Sequence, residues 1–479
     1  MDLLNKLTQH TALQRLQNQV KVLGNRIADH HVSLAVTGLS KSGKTAFITS
    51  LLNQLLNARE SADLPFFSVV KQGRLIGVKR DVQPDVTVAR FAYEKGLENL
   101  TQTPPVWPES TAGVSQVRLL IKYRNQSKLR RLVSEFSTLT LDITDYPGEW
   151  LLDLPLLELD YQQWCEQFWQ DVHDITKSRL AEPFKQAISG LDIESTPDEM
   201  QLQSISTLFS DFLLQCKAHG FQLIQPGRFV LPGELAGAPV LQFFPLTPEQ
   251  LTSITNQSVF SSKETVVGLL SNRFEQYQKK VIKPFYSKHF KRFDRQIVLV
   301  DCLSALNQGA HSFNDLRKAV NWLLGSFHYG KSNILKRLFS PNIDKLMFAA
   351  SKADHITPAQ QHNLVLLLES IVHEARQQIQ YEGVVTESTA FSAIRASKSG
   401  TAEVNGKTLQ VLRGTDLNGK KITLFPGDVP SVCPDDSFWQ QQGFQFPAFA
   451  PMPLEVGQQT FPHIRLDHVL EFVLGDKME

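Results

Sequence analysis

Apolar positions in the first quarter of the chain alternate between helical and strand-like spacing. A helical spacing of Leu, Val and Ile covers residues 11–28, and a short β-rich apolar run follows at 31–37. After a Gly-containing loop, residues 46–56 show the helical spacing again. Residues 57–113 contain several prolines, which predicts irregular structure. This part of the chain therefore predicts a helix, a strand, a second helix and an irregular segment.

Strand-like runs in the rest of the chain indicate a sheet of mixed direction. Runs at 114–123 and 134–144 flank a short polar connection, which predicts an antiparallel pair. Three later runs alternate with helical patterns, which predicts parallel strands. These later strand runs are 296–300, 346–350 and 384–391, and the helical patterns between them are 312–324 and 358–380. We therefore expect an α/β protein with one mixed sheet.

Composition and charge narrow the class of protein. Of 479 residues, 42% are hydrophobic and 20% are charged, which is typical of a folded globular chain. Lys and Arg total 49 and Asp and Glu total 48, so the chain lacks the basic excess of proteins that bind nucleic acid through phosphates. No apolar run reaches the roughly 18 residues of a membrane span, no signal peptide is evident, and the cysteines form no closely spaced pair. A cytoplasmic protein without a membrane span is expected.

Two segments match the phosphate-binding pattern G-x-x-x-x-G-K-[ST], at 38–45 and at 325–332. The first follows a strand and opens a helix, so its backbone N–H groups and the helix N-terminus can both face a phosphate. The second follows a helix and carries Phe, His and Tyr where the backbone must curl tightly, so we interpret it as a turn. The expected phosphate-binding residues are Gly38, Ser40, Lys41, Ser42, Gly43, Lys44, Thr45 and Ala46.

An Asp-x-x-Gly sequence ends the strand run at 134–144. Asp145 lies at the strand end, where its carboxylate can hold Mg²⁺ through water, while Thr45 can supply a direct hydroxyl ligand. The N–H of Gly148 can contact a γ-phosphate, and Lys44 can neutralise the β- and γ-phosphates. These residues predict that the ligand is a nucleoside triphosphate with Mg²⁺.

A further motif selects the base. Ser-Lys-Ala-Asp at 351–354 follows a strand, so the Asp354 carboxylate can accept hydrogen bonds from guanine N1–H and the 2-amino group while the Lys352 stem covers the base. Adenine offers no such pair of donors, so this Asp favours GTP and GDP over ATP. After the last strand run, Ser392 and Ala393 form a loop whose backbone N–H can donate to guanine O6. Four motifs at the carboxyl ends of strands predict a guanine-nucleotide site.

With these motifs the chain resembles a Ras-like GTPase domain with insertions, and more closely the YcjX-like family of bacterial P-loop stress proteins. The closer similarity lies in 38–45, in Asp-Ile-Thr-Asp-Tyr-Pro-Gly-Glu-Trp at 142–150 and in Ala-Ser-Lys-Ala-Asp-His at 350–355, and it extends over nearly the whole chain. The resemblance implies binding of GTP and GDP with Mg²⁺, a stress-response setting and a membrane-protein partner. Such a partner would hold a cytoplasmic protein peripherally at the inner membrane.

The predicted fold is a Ras-like, doubly wound P-loop α/β domain that is interrupted by insertions. Its two parts are 31–150 and 291–395. The remaining predicted segments are an N-terminal helix (1–30), a large helical insertion (151–290), a small β-containing insertion (396–460) and a C-terminal helix on the GTPase domain (461–479).

Two positions depart from efficient Ras-like hydrolases. Glu149 stands where many of them carry a water-orienting Gln. A carboxylate there is repelled by the γ-phosphate unless a cation intervenes, although it can act as a base. Ser40 replaces a phosphate-loop Gly and crowds the site of an incoming Arg side chain. Both departures predict slow hydrolysis, on the order of 10⁻⁴ to 10⁻² per second.

Several assignments stay open on the sequence alone. Thr111 is favoured as the threonine that adds a Mg²⁺ ligand, with Thr87 and Thr103 as alternatives. The favoured function is a slow GTPase switch, and the alternatives are a nucleotide-stabilised scaffold without turnover and an ATPase. Residues that could supply a cation to the site, although a solvent-exposed face is favoured for them, are Lys79, Arg80 and Arg90.

Overall fold

The computed structural model describes residues 30–39, 41–58, 63–83, 85–109, 111, 113–126, 131, 134–172, 175–254, 257–289, 292–324, 343–381, 383–404, 407–440, 444–445 and 447–479. Three features of the sequence lie outside these residues: the helical pattern at 11–28, Ser40, and the second phosphate-loop pattern at 325–332. Among the helices within the described ranges, none has the length and apolar content needed to cross a membrane.

The strands form one large mixed sheet and one small antiparallel sheet. The strands are β1 (His31–Gly38), β2 (Leu75–Asp81), β3 (Ala89–Arg90), β4 (Ser115–Arg124), β5 (Phe136–Asp145), β6 (Arg295–Val300), β7 (Lys345–Ala350), β8 (Val385–Ala390), β9 (Ser397–Val404), β10 (Lys407–Thr415) and β11 (Lys421–Leu424). The large sheet has the order β2-β4-β5-β1-β6-β7-β8, with β3 paired to β4, and the small sheet has the order β11-β10-β9.

Strand directions in the large sheet follow the predicted pattern. β4 pairs antiparallel with β5, with Ser115 opposite Asp145, and β2 pairs antiparallel with β4. The strands β5, β1, β6, β7 and β8 run parallel to one another. The predicted antiparallel pair and the predicted Ras-like fold class are both confirmed. Because the parallel strands share one direction, their carboxyl ends meet at one edge of the sheet.

Helices cover both faces of the large sheet. The α-helices are α1 (Lys44–Asn57), α2 (Ser68–Lys71), α3 (Tyr93–Thr101), α4 (Tyr161–Asp171), α5 (Ile175–Ser189), α6 (Glu199–Ala218), α7 (Gly227–Val230), α8 (Pro248–Ser253), α9 (Val266–Tyr277), α10 (Lys283–His289), α11 (Cys302–Gln308), α12 (Ala310–Leu324), α13 (Gln361–Tyr381), α14 (Asp436–Gln440) and α15 (Leu466–Leu474). A 3₁₀ segment, Gly148–Glu158, follows β5.

Alternation along the parallel strands divides the core into two layers, because successive side chains point to opposite faces. In β6, Ile297 and Leu299 join a core that includes residues of α1 and α15. Val298 and Val300 join the core on the opposite face, which includes residues of α11, α12 and α13. Burial on both faces explains the continuous apolar runs at 297–300 in β6 and 346–350 in β7.

The helices between β5 and β6 pack around aromatic side chains. Trp164 stacks on Phe274 with the ring centroids 5.1 Å apart and meets Phe243 edge-on at 5.3 Å. These helices share one continuous hydrophobic core with α11, α12 and α13. The segment 151–290 therefore packs directly on the helices that cover the sheet.

The segment 57–113 is more regular than its sequence predicts, because it contains β2, β3, α2 and α3. β2 has the sequence LIGVKRD, and most of its residues are exposed. A strand at the edge of a sheet is often exposed and needs no continuous apolar pattern. Because β2 contains charged residues, hydrophobic patterning alone does not predict it as a strand. The prediction of irregular structure was wrong for this segment.

Candidate nucleotide-binding site

A cavity of about 520 Å³ opens at the carboxyl ends of the parallel strands. Its lining comes from the loop between β1 and α1, the segment before β4, the start of the 3₁₀ segment, the end of α6 and the loops after β7 and β8. Leu417 and Phe449, which follow β10 and β11, line it as well. Ligands of doubly wound sheets bind at this edge, where the crossover connections diverge.

The loop between β1 and α1 curls as a phosphate-binding loop must. Gly43 has φ of 86° and Lys41 has φ of 60°, both in the left-handed region. The Lys44 ammonium donates to the carbonyl of Gly38 at 3.2 Å, so the side chain folds back over the loop. The first turn of α1 has no side-chain cap, so its backbone N–H groups remain available to an anion.

Three oxygen-bearing side chains from distant parts of the chain meet at the start of α1. The hydroxyl oxygens of Thr45 and Thr111 lie 3.3 Å apart. The Thr111 hydroxyl donates in turn to Oδ2 of Asp145. One side chain comes from the phosphate loop, one from the segment before β4 and one from the end of β5. Their meeting follows from the strand order, because β5 lies between β1 and β4.

Asp145 is a buried carboxylate with one unsatisfied oxygen. It is 1% exposed, and its Oδ1 has no hydrogen-bond partner among the residues that the structure describes. Burial raises the pKa of this carboxyl, against the opposing effects of the Lys44 charge and the Thr111 hydroxyl. A buried acceptor without a partner is costly, so this oxygen indicates a group that binds there.

Gly148 lies against the backbone of the phosphate loop. A Cβ atom added at this position would be 1.9 Å from the carbonyl oxygen of Gly38 and 3.1 Å from Cα of Leu39. Only glycine therefore fits between β5 and the loop in this arrangement. Gly148 begins the 3₁₀ segment and directly precedes Glu149, which lines the cavity.

The next residue, Glu149, is buried and paired with a cation from the helical segment. The ammonium of Lys217, at the end of α6, donates to Oε1 of Glu149 at 2.7 Å. Burial disfavours the charged carboxylate, but the Lys217 charge and hydrogen bond, together with the Lys44 charge, outweigh it and hold the pKa of Glu149 below its ordinary value. Both Glu149 and Lys217 line the cavity.

Asp354 lies buried at the other end of the cavity. Its Oδ2 accepts from the N–H of Ala396 at 2.6 Å, and its Oδ1 lies 3.2 Å from Nδ1 of His355. Burial again disfavours the carboxylate, yet His355, the Ala396 N–H and the Ser392 hydroxyl keep the pKa of Asp354 below its ordinary value. The carboxylate is therefore fixed in its ionised, hydrogen-bond-accepting form.

Lys352 and the loop after β8 complete the base end of the cavity. Lys352 adopts φ of 63°, and its ammonium bonds Asp301 at 2.5 Å and the Ser304 hydroxyl at 2.9 Å, which fixes the aliphatic stem along the cavity wall. Ser392 is held by paired backbone hydrogen bonds with Ile464, at 2.9 and 2.8 Å. Ala393 follows it and also lines the cavity.

Comparison with known proteins adds a family to this geometry. The profile of the YcjX-like family, DUF463, matches residues 32–478. The chain belongs to the YcjX-like family. It is 47% identical to the Ras-like GTPase YcjX of Escherichia coli (strain K12) over 467 residues, which cover 97% of this chain and 100% of that protein. It is 43% identical over 480 residues to the Ras-like GTPase YcjX of Shewanella oneidensis, covering 98% of this chain and 99% of that protein. The resemblance inferred from the motifs is confirmed.

In this YcjX-like chain, most residues that the motifs singled out line one cavity. Gly38, Asp145 and Gly148 are not among the described lining residues, but Asp145 bonds the lining residue Thr111 and Gly148 directly precedes the lining residue Glu149. Thr87 bonds Asp85 at 2.6 Å, and neither Thr87 nor Thr103 is among the described lining residues. The motif residues that line the cavity are Lys41, Ser42, Gly43, Lys44, Thr45, Ala46, Thr111, Glu149, Ser351, Lys352, Asp354, Ser392 and Ala393.

The cations proposed from the sequence do not reach the cavity. Arg80 pairs with Glu94 and lies over the ring of Tyr93, 5.3 Å from its centroid. Lys79 and Arg90 lie in the edge strands β2 and β3 and, like Arg80, are absent from the lining within the described part of the chain.

The sequence motifs do not mark several lining residues of this YcjX-like chain, among them Lys217, Trp107 and Phe449. Lys217 lies within a 20-residue helix whose sequence carries no motif. Trp107 and Phe449 form another part of the cavity wall, in which the Trp107 indole N–H donates to the Phe449 carbonyl at 2.7 Å. No local pattern marks such contacts, because their partners are separated by 68 and 342 residues respectively.

Proposed function

We propose that this chain binds GTP and GDP with Mg²⁺ and hydrolyses GTP slowly, as a molecular switch in the cytoplasm. One observation carries the proposal: a single cavity has a phosphate loop at one end and a buried, ionised Asp354 at the other. The two relatives, both named as Ras-like GTPases, support the hydrolase activity. The family resemblance extends the proposal to a stress-related role and a membrane-protein partner.

The residues around Asp145 fit the Mg²⁺ ion that such a reaction uses. Mg²⁺ takes hard oxygen ligands, and the unpartnered Oδ1 of Asp145 is an oxygen that the ion or its bound water would satisfy. Thr45 and Thr111 would hold the ion through their hydroxyls, and Asp145 through water. The ion would neutralise charge on the β- and γ-phosphate oxygens.

Residues of the chain divide the remaining work of binding and hydrolysis. Lys44 contacts the β- and γ-phosphates, and Gly148 offers its N–H to the γ-phosphate. Glu149, held ionised, can accept a hydrogen bond from an attacking water but cannot donate one to the phosphate as a Gln amide does. Hydrolysis is therefore slow, on the order of 10⁻⁴ to 10⁻² per second.

The switch part of the proposal rests on how Gly148 is connected. The 3₁₀ segment that it begins is buried over nearly its whole length. Within that segment, Asp153 accepts from the Gly227 N–H at 2.7 Å, and the Leu152 carbonyl accepts from the Trp322 indole at 3.0 Å. A contact that Gly148 makes only when a γ-phosphate is present would therefore change how α7 and α12 pack in the GTP state relative to the GDP state.

Fluorescence titration with labelled GTP, GDP and ATP tests the ligand assignment. The wild-type chain should bind both guanine nucleotides at least a hundredfold more tightly than ATP, because a guanine edge pairs with Asp354 and an adenine edge does not. Asp354→Asn should lose this preference and bind xanthine nucleotides instead. Lys44→Ala serves as the variant that loses phosphate contacts without changing base selection.

The outcome separates the rival functions. Equal affinity for ATP and GTP would contradict the guanine assignment and favour an ATPase. Tight guanine binding without phosphate release over many hours would instead favour a nucleotide-stabilised scaffold. A multiple-turnover phosphate-release assay on the same preparation makes that distinction.

A further inference from the structure

Glu149 creates an electrostatic problem for a triphosphate. The carboxylate lies next to Gly148, at the phosphate end of the cavity, and its lowered pKa keeps it ionised at neutral pH. A γ-phosphate brought to Gly148 adds further negative charge within a few ångströms. In a partly buried site such like charges repel strongly unless a cation lies between them.

The helical segment between β5 and β6 places a cation at this point. Lys217 Nζ lies 2.7 Å from Glu149 Oε1, and the side chain is 25% exposed and lines the cavity. Lys217 lies in the last turn of α6, where backbone carbonyl groups favour a positive charge.

The backbone that carries Lys217 is held firmly. Phe209, Phe212 and Leu213 of α6 are buried in the aromatic core, and Asp198 caps the N-terminus of the helix through the N–H of Met200 at 2.9 Å. The backbone of Lys217 is therefore fixed by the packing of α6, and its aliphatic side chain extends the ammonium to Glu149.

Three other lysines line the cavity: Lys41 and Lys44 in the phosphate loop, and Lys352 at the base end. The Lys44 ammonium bonds the Gly38 carbonyl. Lys352 bonds Asp301 and Ser304. Within the described part of the chain, Lys217 is the lysine that pairs with Glu149, the carboxylate beside Gly148, and this distinguishes its position from the other three.

We propose that Lys217 is a phosphate-binding residue that the helical segment contributes in cis, and that it reads the presence of the γ-phosphate. Without a γ-phosphate its ammonium pairs with Glu149, and with GTP bound it contacts the terminal phosphate while it still neutralises Glu149. This inference rests on the proposed GTPase function. It makes Lys217 the residue that favours triphosphate over diphosphate.

The same contact assists hydrolysis. The water oxygen bonds to the γ-phosphorus while the bond from phosphorus to the β–γ bridging oxygen breaks, its electron pair stays with GDP, and the proton of the water ends on the released phosphate. A cation at the terminal phosphate stabilises the charge that spreads over its oxygens in the transition state.

Four variants test the proposal: Lys217→Met, Lys217→Arg, Glu149→Gln and the double variant Glu149→Gln with Lys217→Met. Each is titrated with fluorescent GDP and with a non-hydrolysable GTP analogue, and each is assayed for single-turnover GTP hydrolysis. Lys217→Met should weaken analogue binding at least tenfold and slow hydrolysis at least tenfold, with GDP affinity changed less than twofold. Lys217→Arg should retain most of the preference for the analogue over GDP.

The double variant separates charge neutralisation from folding. Removing both charges relieves the repulsion, so the double variant should bind the analogue more tightly than Lys217→Met does, and it stays informative if the single variant folds poorly. Lys279→Met is the matched control, because Lys279 is an exposed lysine of the same helical segment that pairs with Glu275 in the preceding turn. It should behave as the wild type does.

Two results would overturn the inference. The first is an unchanged ratio of analogue to GDP affinity, with unchanged hydrolysis, in Lys217→Met. The second is an equal loss of GDP and analogue binding in Lys217→Met and the double variant, which would indicate a structural role. Absence of guanine preference in the wild type would instead contradict the proposed function, so the two failures are distinguishable.

Discussion

At the phosphate end of the cavity, single residues are held by close contacts with their neighbours. Thr45, Thr111 and Asp145 form a chain of oxygen atoms that already touch one another. Gly148 lies where even one additional carbon atom would collide with the phosphate loop. Small substitutions at these positions should therefore have effects on ligand binding that their size alone would not suggest.

The first prediction at this scale concerns Thr111. In the proposed site, Thr111→Ala would remove a hydroxyl ligand of Mg²⁺, so about tenfold more Mg²⁺ should be needed to support binding of a GTP analogue. Thr111→Ser keeps the hydroxyl and should need little more than the wild type. Titration of Mg²⁺ against nucleotide fluorescence measures the effect. An unchanged requirement in Thr111→Ala would remove this residue from the metal site and return Thr87 and Thr103 to consideration.

The second prediction at this scale concerns Gly148. Gly148→Ala forces a Cβ to within 1.9 Å of the Gly38 carbonyl, so the backbone of the loop or of the 3₁₀ segment must move. We expect a loss of about 1–3 kcal/mol in the free energy of unfolding and at least tenfold weaker binding of a GTP analogue. Gly190→Ala, in an exposed turn with open space around it, is the control and should change stability by less than about 0.5 kcal/mol. Equal behaviour of the two variants would show that the close approach does not matter.

At the scale of elements, the 3₁₀ segment Gly148–Glu158 joins the nucleotide site to the helices that follow it. Polar groups buried along this segment hold it in place: Asp153 accepts from the Gly227 N–H and bonds the Tyr277 hydroxyl at 2.5 Å. Glycine at 227 is required for this contact, since a Cβ there would be 2.1 Å from the Glu149 carbonyl. The segment is thus fixed from both ends and can transmit a displacement.

Asp153 gives this element a pH dependence. Burial raises its pKa to about 7, although the Tyr277 hydroxyl and the Gly227 N–H oppose the shift. The folded state therefore retains a proton that the unfolded state loses near pH 4, so this group lowers stability as pH rises from about 4 to about 7, by at most about 1.4 kcal/mol per pH unit. Asp153→Asn mimics the protonated acid and should flatten that dependence.

Urea unfolding at several pH values between 5 and 8 measures the effect. The difference in midpoint between Asp153→Asn and wild type should grow from pH 5 to pH 7 and then level off. A constant difference across this range would show that Asp153 does not titrate there.

At the scale of the whole molecule, the helices between β5 and β6 share a core with the helices of the sheet. A separate core would let these helices move as an independent body, whereas a continuous one ties them to the site. Lys217 and Glu149, which both line the cavity, form a second connection between the same two regions. In the proposed switch, these two connections would couple the state of the cavity to a large helical surface.

Hydrogen exchange tests that coupling. Protection should differ between the GDP form and the form with a non-hydrolysable GTP analogue in residues 145–165, and the difference should spread into α6 and α7. Lys44→Ala, which binds nucleotide poorly, should show the same exchange with either nucleotide present. Identical exchange in both nucleotide states of the wild type would contradict the switch and support the scaffold.

The sequence by itself determined the class of fold, the order of the motifs and the family. Continuous apolar runs marked the buried strands, because parallel strands are covered on both faces. Short contiguous motifs predicted the phosphate loop and Asp354. In each, a few adjacent residues of one loop supply the backbone N–H groups or the carboxylate that would contact the ligand. These signals are local, so a few adjacent residues carry each of them.

Only the tertiary structure decided which residues from elsewhere complete the site. It placed Thr111 rather than Thr87 beside Thr45, paired Lys217 with Glu149 across 68 residues of sequence, and brought Phe449 to the wall of the cavity. It also revealed the edge strand β2, whose exposed residues show no apolar pattern. Such contacts depend on how the strand order and the aromatic core bring distant segments together, and the residues concerned are not distinguished by their own neighbours in sequence.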